Sequence, residues 1–167
     1  SILDRGFCYG DGLFETLRAS NGKIFYIEQH IDRLFDSLQQ VLIELPMTRL
    51  ELTKAVKETL ARNKYKNAII RLMVTRGDTE SNIQIDSKIH PTLVINIRPF
   101  TPLPKVAYKK GIRVMLFQER ANLINGLSLR LKSCNYLSNI LIKELSNKKN
   151  YTEGVVVDPD FGVTEGT

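Results

Sequence analysis

Apolar residues recur along this chain with two periods, and the changes of period mark its elements. Leu13-Phe14-Glu15-Thr16-Leu17-Arg18 roughly alternates apolar with polar, as a half-buried strand does. The segment before it, Gly6-Phe7-Cys8-Tyr9-Gly10-Asp11-Gly12, is punctuated by glycine and reads as a turn. Asn21-Gly22 is a two-residue hairpin signal, with residues 23–26 as the returning strand. From Ile27 the period lengthens. Ile31, Leu34, Leu38 and Val41, with Phe35 and Leu42 beside them, mark one face of an amphipathic helix.

Thr48 and Glu51 have the spacing of a capping box, and Leu52, Val56 and Leu60 continue into a second helix. Residues 69–75 and 92–98 read as paired strands joined by a polar loop over 77–88. Phe100-Thr101-Pro102-Leu103-Pro104 then punctuates the chain. These signals predict a small α+β domain over residues 1–104 and a second unit over 105–167. In the second unit, residues 113–117 and 154–157 read as strands and 135–145 has helical spacing. No internal repeat or low-complexity segment interrupts this order.

Of the 167 residues, 43% are hydrophobic and 25% charged, the balance of a soluble globular chain. No apolar run approaches the roughly 18 residues of a membrane span, and no secretory signal opens the sequence. Ser1 is not a natural start and Thr167 follows a turn directly, so the chain reads as a fragment of a longer polypeptide. Cys8 and Cys134 have neither metal-like nor CxxC spacing, and His30 and His90 are too few for a metal site, so a reduced, cytoplasmic protein is expected. The net charge of +6 raises the question of an anionic partner, yet the basic residues are scattered among acids and form no continuous stripe. No nucleic-acid or membrane partner is expected.

The chemistry concentrates in Arg130-Leu131-Lys132-Ser133-Cys134-Asn135-Tyr136-Leu137 and in Gly162-Val163-Thr164-Glu165-Gly166-Thr167. A lysine amine condenses with an aldehyde, and an acid facing a ring nitrogen keeps that nitrogen protonated; pyridoxal phosphate needs both. An unperturbed lysine, with a pKa of about 10.4, is unreactive at neutral pH, so Lys132 would need burial or a cationic neighbour such as Arg130. Tyr136 is close enough in sequence to hydrogen-bond a phenolic oxygen of the same ligand. Arg33, beside the apolar face of the first helix, has the fork that suits a phosphate. Each has an ordinary reading beside the functional one. Lys132 is then a solvated surface lysine, Glu165 an exposed turn acid, Tyr136 a partly buried tyrosine, and Arg33 a surface arginine paired with Asp32 or Glu28. Gly10-Asp11-Gly12 lacks the rest of a dinucleotide fingerprint or a P-loop and reads as a tight turn.

In this order and spacing, the segments resemble the class IV aminotransferases, the fold-type-IV pyridoxal-phosphate enzymes. The resemblance is carried by Asp4-Arg5-Gly6 with Tyr9-Gly10-Asp11-Gly12-Leu13-Phe14-Glu15-Thr16, and by His30-Ile31-Asp32-Arg33-Leu34. Arg71-Leu72-Met73-Val74-Thr75-Arg76-Gly77, Arg130-Leu131-Lys132-Ser133 with Asn135-Tyr136-Leu137, and Val163-Thr164-Glu165-Gly166 complete it. It implies an α/β (α+β), two-domain architecture whose larger, barrel-like domain is incomplete in this chain. It also implies that pyridoxal 5'-phosphate is carried on Lys132, with Arg33 on its phosphate, Tyr136 on its phenolic oxygen and Glu165 on its ring nitrogen. A small-molecule amino substrate and a homodimer belong to the same expectation.

Within the family, the D-amino-acid aminotransferases trap the substrate carboxylate with a tyrosine where Phe14 stands. They also use an arginine and a histidine where this chain has Ser81 and Ile83, which argues against that activity here. Branched-chain aminotransferases usually carry other sequences at Gly-Asp-Gly and Thr-Arg-Gly. The resemblance favours 4-amino-4-deoxychorismate lyase, which releases pyruvate to form 4-aminobenzoate, a folate precursor. A branched-chain or related aminotransferase is the alternative. A non-catalytic, basic anion-binding module is the reading from another class; it would bind with steep salt dependence and be indifferent to Lys132.

Overall fold

A computed structural model describes residues 1–79, 83–85, 89–118 and 131–167. Arg130 and Ser81, which the sequence reading invoked, lie outside the described residues. The chain divides into two units, Ser1–Phe100 with Leu131–Cys134, and Thr101–Arg130 with Asn135–Thr167. The short stretch that carries Lys132 therefore packs with the first unit, not with its sequence neighbours.

In the first unit, β1 (Gly12–Ser20), β2 (Lys23–Ile24), β3 (Ala68–Thr75) and β4 (Thr92–Pro99) form an antiparallel sheet in the order β2-β1-β3-β4. Asn21 and Gly22 both take positive φ in the β1–β2 hairpin, as a two-residue turn of the primed kind requires. Two helices, α2 (Ile27–Gln40) and α3 (Arg49–Asn63), supply the apolar layer. Ile31, Leu34 and Leu38 of α2 and Leu52, Val56 and Leu60 of α3 are buried with Leu13, Leu17, Ile70, Leu72 and Val74 of the sheet. The Thr48–Glu51 capping box is formed at the start of α3. Leu42, expected on the apolar face of the first helix, is exposed instead. Val41 already caps α2, and Leu42 turns away with φ 56°.

The glycine-rich segment read as a turn is a short helix, α1 (Arg5–Tyr9). Asp4 caps it by accepting from the Gly6 N–H at 2.7 Å, and Gly10 ends it in the left-handed region. Gly6 is needed there because the Thr75 side chain leaves no room for a Cβ. The other carboxylate oxygen of Asp4 accepts from the Thr75 hydroxyl at 2.8 Å, so the cap is also a tie to β3.

In the second unit, α4 (Lys105–Lys110), which the sequence reading did not identify, precedes β5 (Val114–Gln118). β5 pairs in parallel with β6 (Glu153–Asp158), and β7 (Gly162–Gly166) pairs antiparallel with β6. Helix α5 (Leu137–Lys148) packs on β6, and Ile142 and Ser146 approach Gly154 too closely for any larger residue. Asp158 closes the β6–β7 turn by accepting from the Asp160 and Phe161 N–H groups at 2.8 and 3.0 Å. No helix among the described residues is long and apolar enough to cross a membrane.

Candidate functional site

Strand β1 organises the functional residues of the first unit by alternation. Leu13, Glu15, Leu17 and Ala19 share one face, and Phe14, Thr16 and Arg18 the other. Residues 131–134 run alongside its start: the Phe14 N–H donates to the Lys132 carbonyl at 2.8 Å and the Cys134 N–H to the Gly12 carbonyl at 2.9 Å. Leu13 and Ser133 form an antiparallel bridge between these two bonds. Lys132 is thus fixed to β1 through its own carbonyl, with a second bond to β1 two residues on at Cys134.

Its amine lies 5.2 Å from the centre of the Phe14 ring, and the Arg71 guanidinium lies 3.9 Å from the same centre. Both cations lie within cation–π range of the ring, and Phe14, on the sheet face away from the helices, is 3% exposed. The thiol of Cys134, two residues on, is pushed up by burial, an effect opposed by Arg71 and reinforced by Asp4.

On the opposite face of β1, Glu15 is buried in the apolar layer at 2% exposure. A carboxylate there is costly unless every oxygen is paired. Arg33 of α2 donates from Nε to Oε1 at 2.5 Å and from Nη2 to Oε2 at 2.7 Å. His30, one turn earlier on α2, places Nδ1 2.8 Å from Oε2. Burial raises the Glu15 carboxyl, but the hydrogen bonds from Arg33 and His30 outweigh it and hold the group below the ordinary glutamate value. The same hydrogen bond strengthens Arg33 as a base. The arginine side chain remains 52% exposed, and among the described residues its Nη1 has no hydrogen-bond partner. Neither partner considered from sequence, Asp32 or Glu28, is used; Asp32 pairs with Arg49 at 3.1 Å.

A second carboxylate stands just before β1. Asp11 accepts from Arg5 Nε at 2.7 Å, from Arg76 Nε at 2.8 Å and from Arg76 Nη2 at 3.1 Å. Arg76 spends its remaining donors on the Leu42 and Val41 carbonyls, both at 2.8 Å. The Asp-Arg-Gly, Gly-Asp-Gly and Thr-Arg-Gly segments singled out in the sequence therefore meet in one ionic knot. Burial raises Asp11, and the hydrogen bonds from Arg76 and Arg5 overcome that and lower it.

The other two candidates belong to the second unit. Tyr136 is half-buried at the start of α5. Glu165 lies on β7, opposite Val156, and among the described residues its exposed carboxylate has no partner. Among the described residues, no group of three or more His, Cys, Asp or Glu side chains could hold a metal ion. A primary amine on a fixed backbone, at Lys132, has the chemistry to condense with an aldehyde, and the open guanidinium edge of Arg33 has the donors a phosphate takes. Sequence reasoning missed Glu15, His30, Asp11 and Arg71. A signal for Glu15 was present, since an acid at an inward strand position between Leu13 and Leu17 demands a cationic partner.

A Methanocaldococcus jannaschii protein described as a branched-chain-amino-acid aminotransferase is 36% identical over 167 residues, which is all of this chain and 57% of that protein. The aminodeoxychorismate lyase of Bacillus subtilis is 31% identical over 168 residues, covering 99% of this chain and 56% of the lyase. The crystal structure of the T.th. branched-chain amino acid aminotransferase with pyridoxamine 5'-phosphate superposes with a TM-score of 0.85 at 25% identity, over 99% of this chain and 56% of that one. The chain thus spans little more than half the length of these relatives. Class IV amino-transferases use pyridoxal phosphate, and the family's sequence profile matches residues 12–167. With the match running from the start of β1 through Lys132 to the last residue, this chain belongs to the class IV aminotransferases.

Proposed function

We propose that this chain supplies the lysine, the phosphate-binding arginine and the ring-nitrogen carboxylate of a pyridoxal-phosphate enzyme that acts on a small amino substrate. The seat of Lys132 is the observation that supports it. Its carbonyl accepts from the Phe14 N–H at 2.8 Å and its amine is held over the Phe14 ring, so the nucleophile is fixed at both ends. Lys132 Nζ would hold the aldehyde carbon, Arg33 the phosphate, Tyr136 the phenolic oxygen and Glu165 the ring nitrogen. Pyridoxal phosphate, when bound, supplies a ring that delocalises the charge left when a proton leaves the carbon next to the amine. Lys132 Nζ is the group that takes that proton and returns it. In this reading residues 1–104 are the small domain, residues 105–167 begin the larger barrel-like domain, and the working assembly is a homodimer.

The reaction we assign is that of a 4-amino-4-deoxychorismate lyase, with pyruvate leaving to give 4-aminobenzoate. The Gly-Asp-Gly-x-Phe-Glu-Thr segment and the 31% identity to the Bacillus subtilis lyase support it. Branched-chain transamination is the second reading, favoured by the 36% identity to the Methanocaldococcus jannaschii protein.

Two experiments test these readings. A visible absorbance band on adding pyridoxal phosphate, fixed by borohydride on Lys132 and absent from Lys132→Ala, is expected; an adduct on another residue, or none, overturns the cofactor assignment. Pyruvate released from 4-amino-4-deoxychorismate without an added keto acid supports the lyase. Amino transfer from a branched-chain amino acid, with no such release, overturns it in favour of the transaminase.

A further inference from the structure

We infer that Glu15, braced by His30, is a positioning residue that holds the Arg33 guanidinium with its Nη1 edge presented to a phosphate ester. The inference rests on the reading of Arg33 as the phosphate ligand and extends it to two residues that do not themselves touch the ligand. Three observations carry it. The fork–fork pair uses the Nε and Nη2 donors, at 2.5 and 2.7 Å, and so fixes the plane of the guanidinium. The Nη1 donors point away from that pair and have no partner among the described residues, on a side chain that is 52% exposed. Glu15 itself cannot drift, because it is buried in the sheet and His30 Nδ1 meets the same Oε2 at 2.8 Å.

An unbraced arginine loses the freedom of its long side chain on meeting an anion, whereas this one has lost it already. Such pre-organisation raises affinity by lowering the ordering cost of binding. The carboxylate also offsets part of the arginine's charge, so what Glu15 contributes to a bound anion is orientation. A purely structural Glu15 would stabilise the fold without distinguishing a phosphorylated ligand from an unphosphorylated one.

The test is the phosphate-dependent gain in affinity, read as the ratio of the dissociation constants of pyridoxal and pyridoxal phosphate. It is measured by titration calorimetry on the full chain and on Arg33→Ala, Glu15→Gln and His30→Gln. Glu15→Gln is expected to cut the gain about tenfold while leaving pyridoxal affinity unchanged, the loss of one charge-assisted orientation. His30→Gln, at a partly exposed helix position, is expected to cut it by a smaller factor in the same direction. No gain in the wild type, or a gain that survives Arg33→Ala, overturns the Arg33 reading and this inference with it. A gain lost in Arg33→Ala but kept in Glu15→Gln overturns the inference alone, as does an equal loss for both ligands. If Glu15→Gln does not fold, His30→Gln decides: a reduced gain supports the brace and an unchanged gain overturns it.

Discussion

Strand β1 and the residue just before it carry two carboxylates, each bound to two basic side chains, and they end in opposite conditions. Asp11 is clamped by Arg5 and Arg76, whose side chains are only 5% and 8% exposed. Every nitrogen of Arg76 is committed, to Asp11 or to the Val41 and Leu42 carbonyls. Glu15 is the more deeply buried acid, yet its partner Arg33 keeps one nitrogen uncommitted and half its side chain in solvent. The first cluster is closed and spends its charge on joining α1, β1 and β3. The second is anchored at one end and open at the other, the arrangement a binding group needs. Pairing an arginine with an acid does not by itself say which role it has; the donors left over do.

Removing the closed acid should have the larger effect. Asp11→Ala removes the carboxylate shared by two buried guanidiniums, and is expected to cost about 3–5 kcal/mol in denaturant unfolding. Glu15→Gln should cost less, about 1–2 kcal/mol, because Arg33 can turn outward and hydrate. Equal losses at the two positions would erase the contrast. Acid titration sharpens it further. Both carboxyls are held below their ordinary values of 3.8 and 4.5, so their contribution is full above those values and is lost as pH falls through the lower folded-state ones. Unfolding free energy should therefore decline as pH falls below about 5 in the wild type, with a shallower decline in Asp11→Ala and in Glu15→Gln. A variant that keeps the full slope would show that its carboxylate titrates alike in both states.

The elements that sequence made legible are those written in local periods. The Asn21-Gly22 turn, the capping box of α3 and the apolar faces of α2 and α3 depend on residues a few positions apart. Helix α1 was not legible, since five residues are too short for a period and its cap leans on Thr75 in β3. The ionic clusters were hidden for the same reason: Asp11 meets Arg76 across 65 residues and Glu15 meets Arg33 across 18. A local search for Arg33's partner stops at Asp32 and Glu28, whereas the actual partner is reached only once α2 lies on β1. The seat of Lys132 needs a still longer closure, because residues 131–134 return to β1 after more than a hundred residues, and no pattern near Lys132 announces it.

The smallest expected stability effect belongs to the residue with the largest proposed chemical role. Lys132 is tied to β1 through its main chain, by its carbonyl and by the N–H of Cys134 two residues on, and neither bond involves its side chain. Truncating it to alanine removes one partly exposed cation from the Phe14 ring, while Arg71 stays at 3.9 Å on the same ring. The cost should stay within about 1 kcal/mol, the range of one cation–π contact. Thermal unfolding of Lys132→Ala without cofactor is therefore expected to match the wild type closely, while borohydride-fixed pyridoxal phosphate disappears from that position. A large loss of stability would instead mean that the amine is part of the packing around Phe14. The missing adduct could then be put down to a disturbed fold, and the same variant could no longer speak for chemistry.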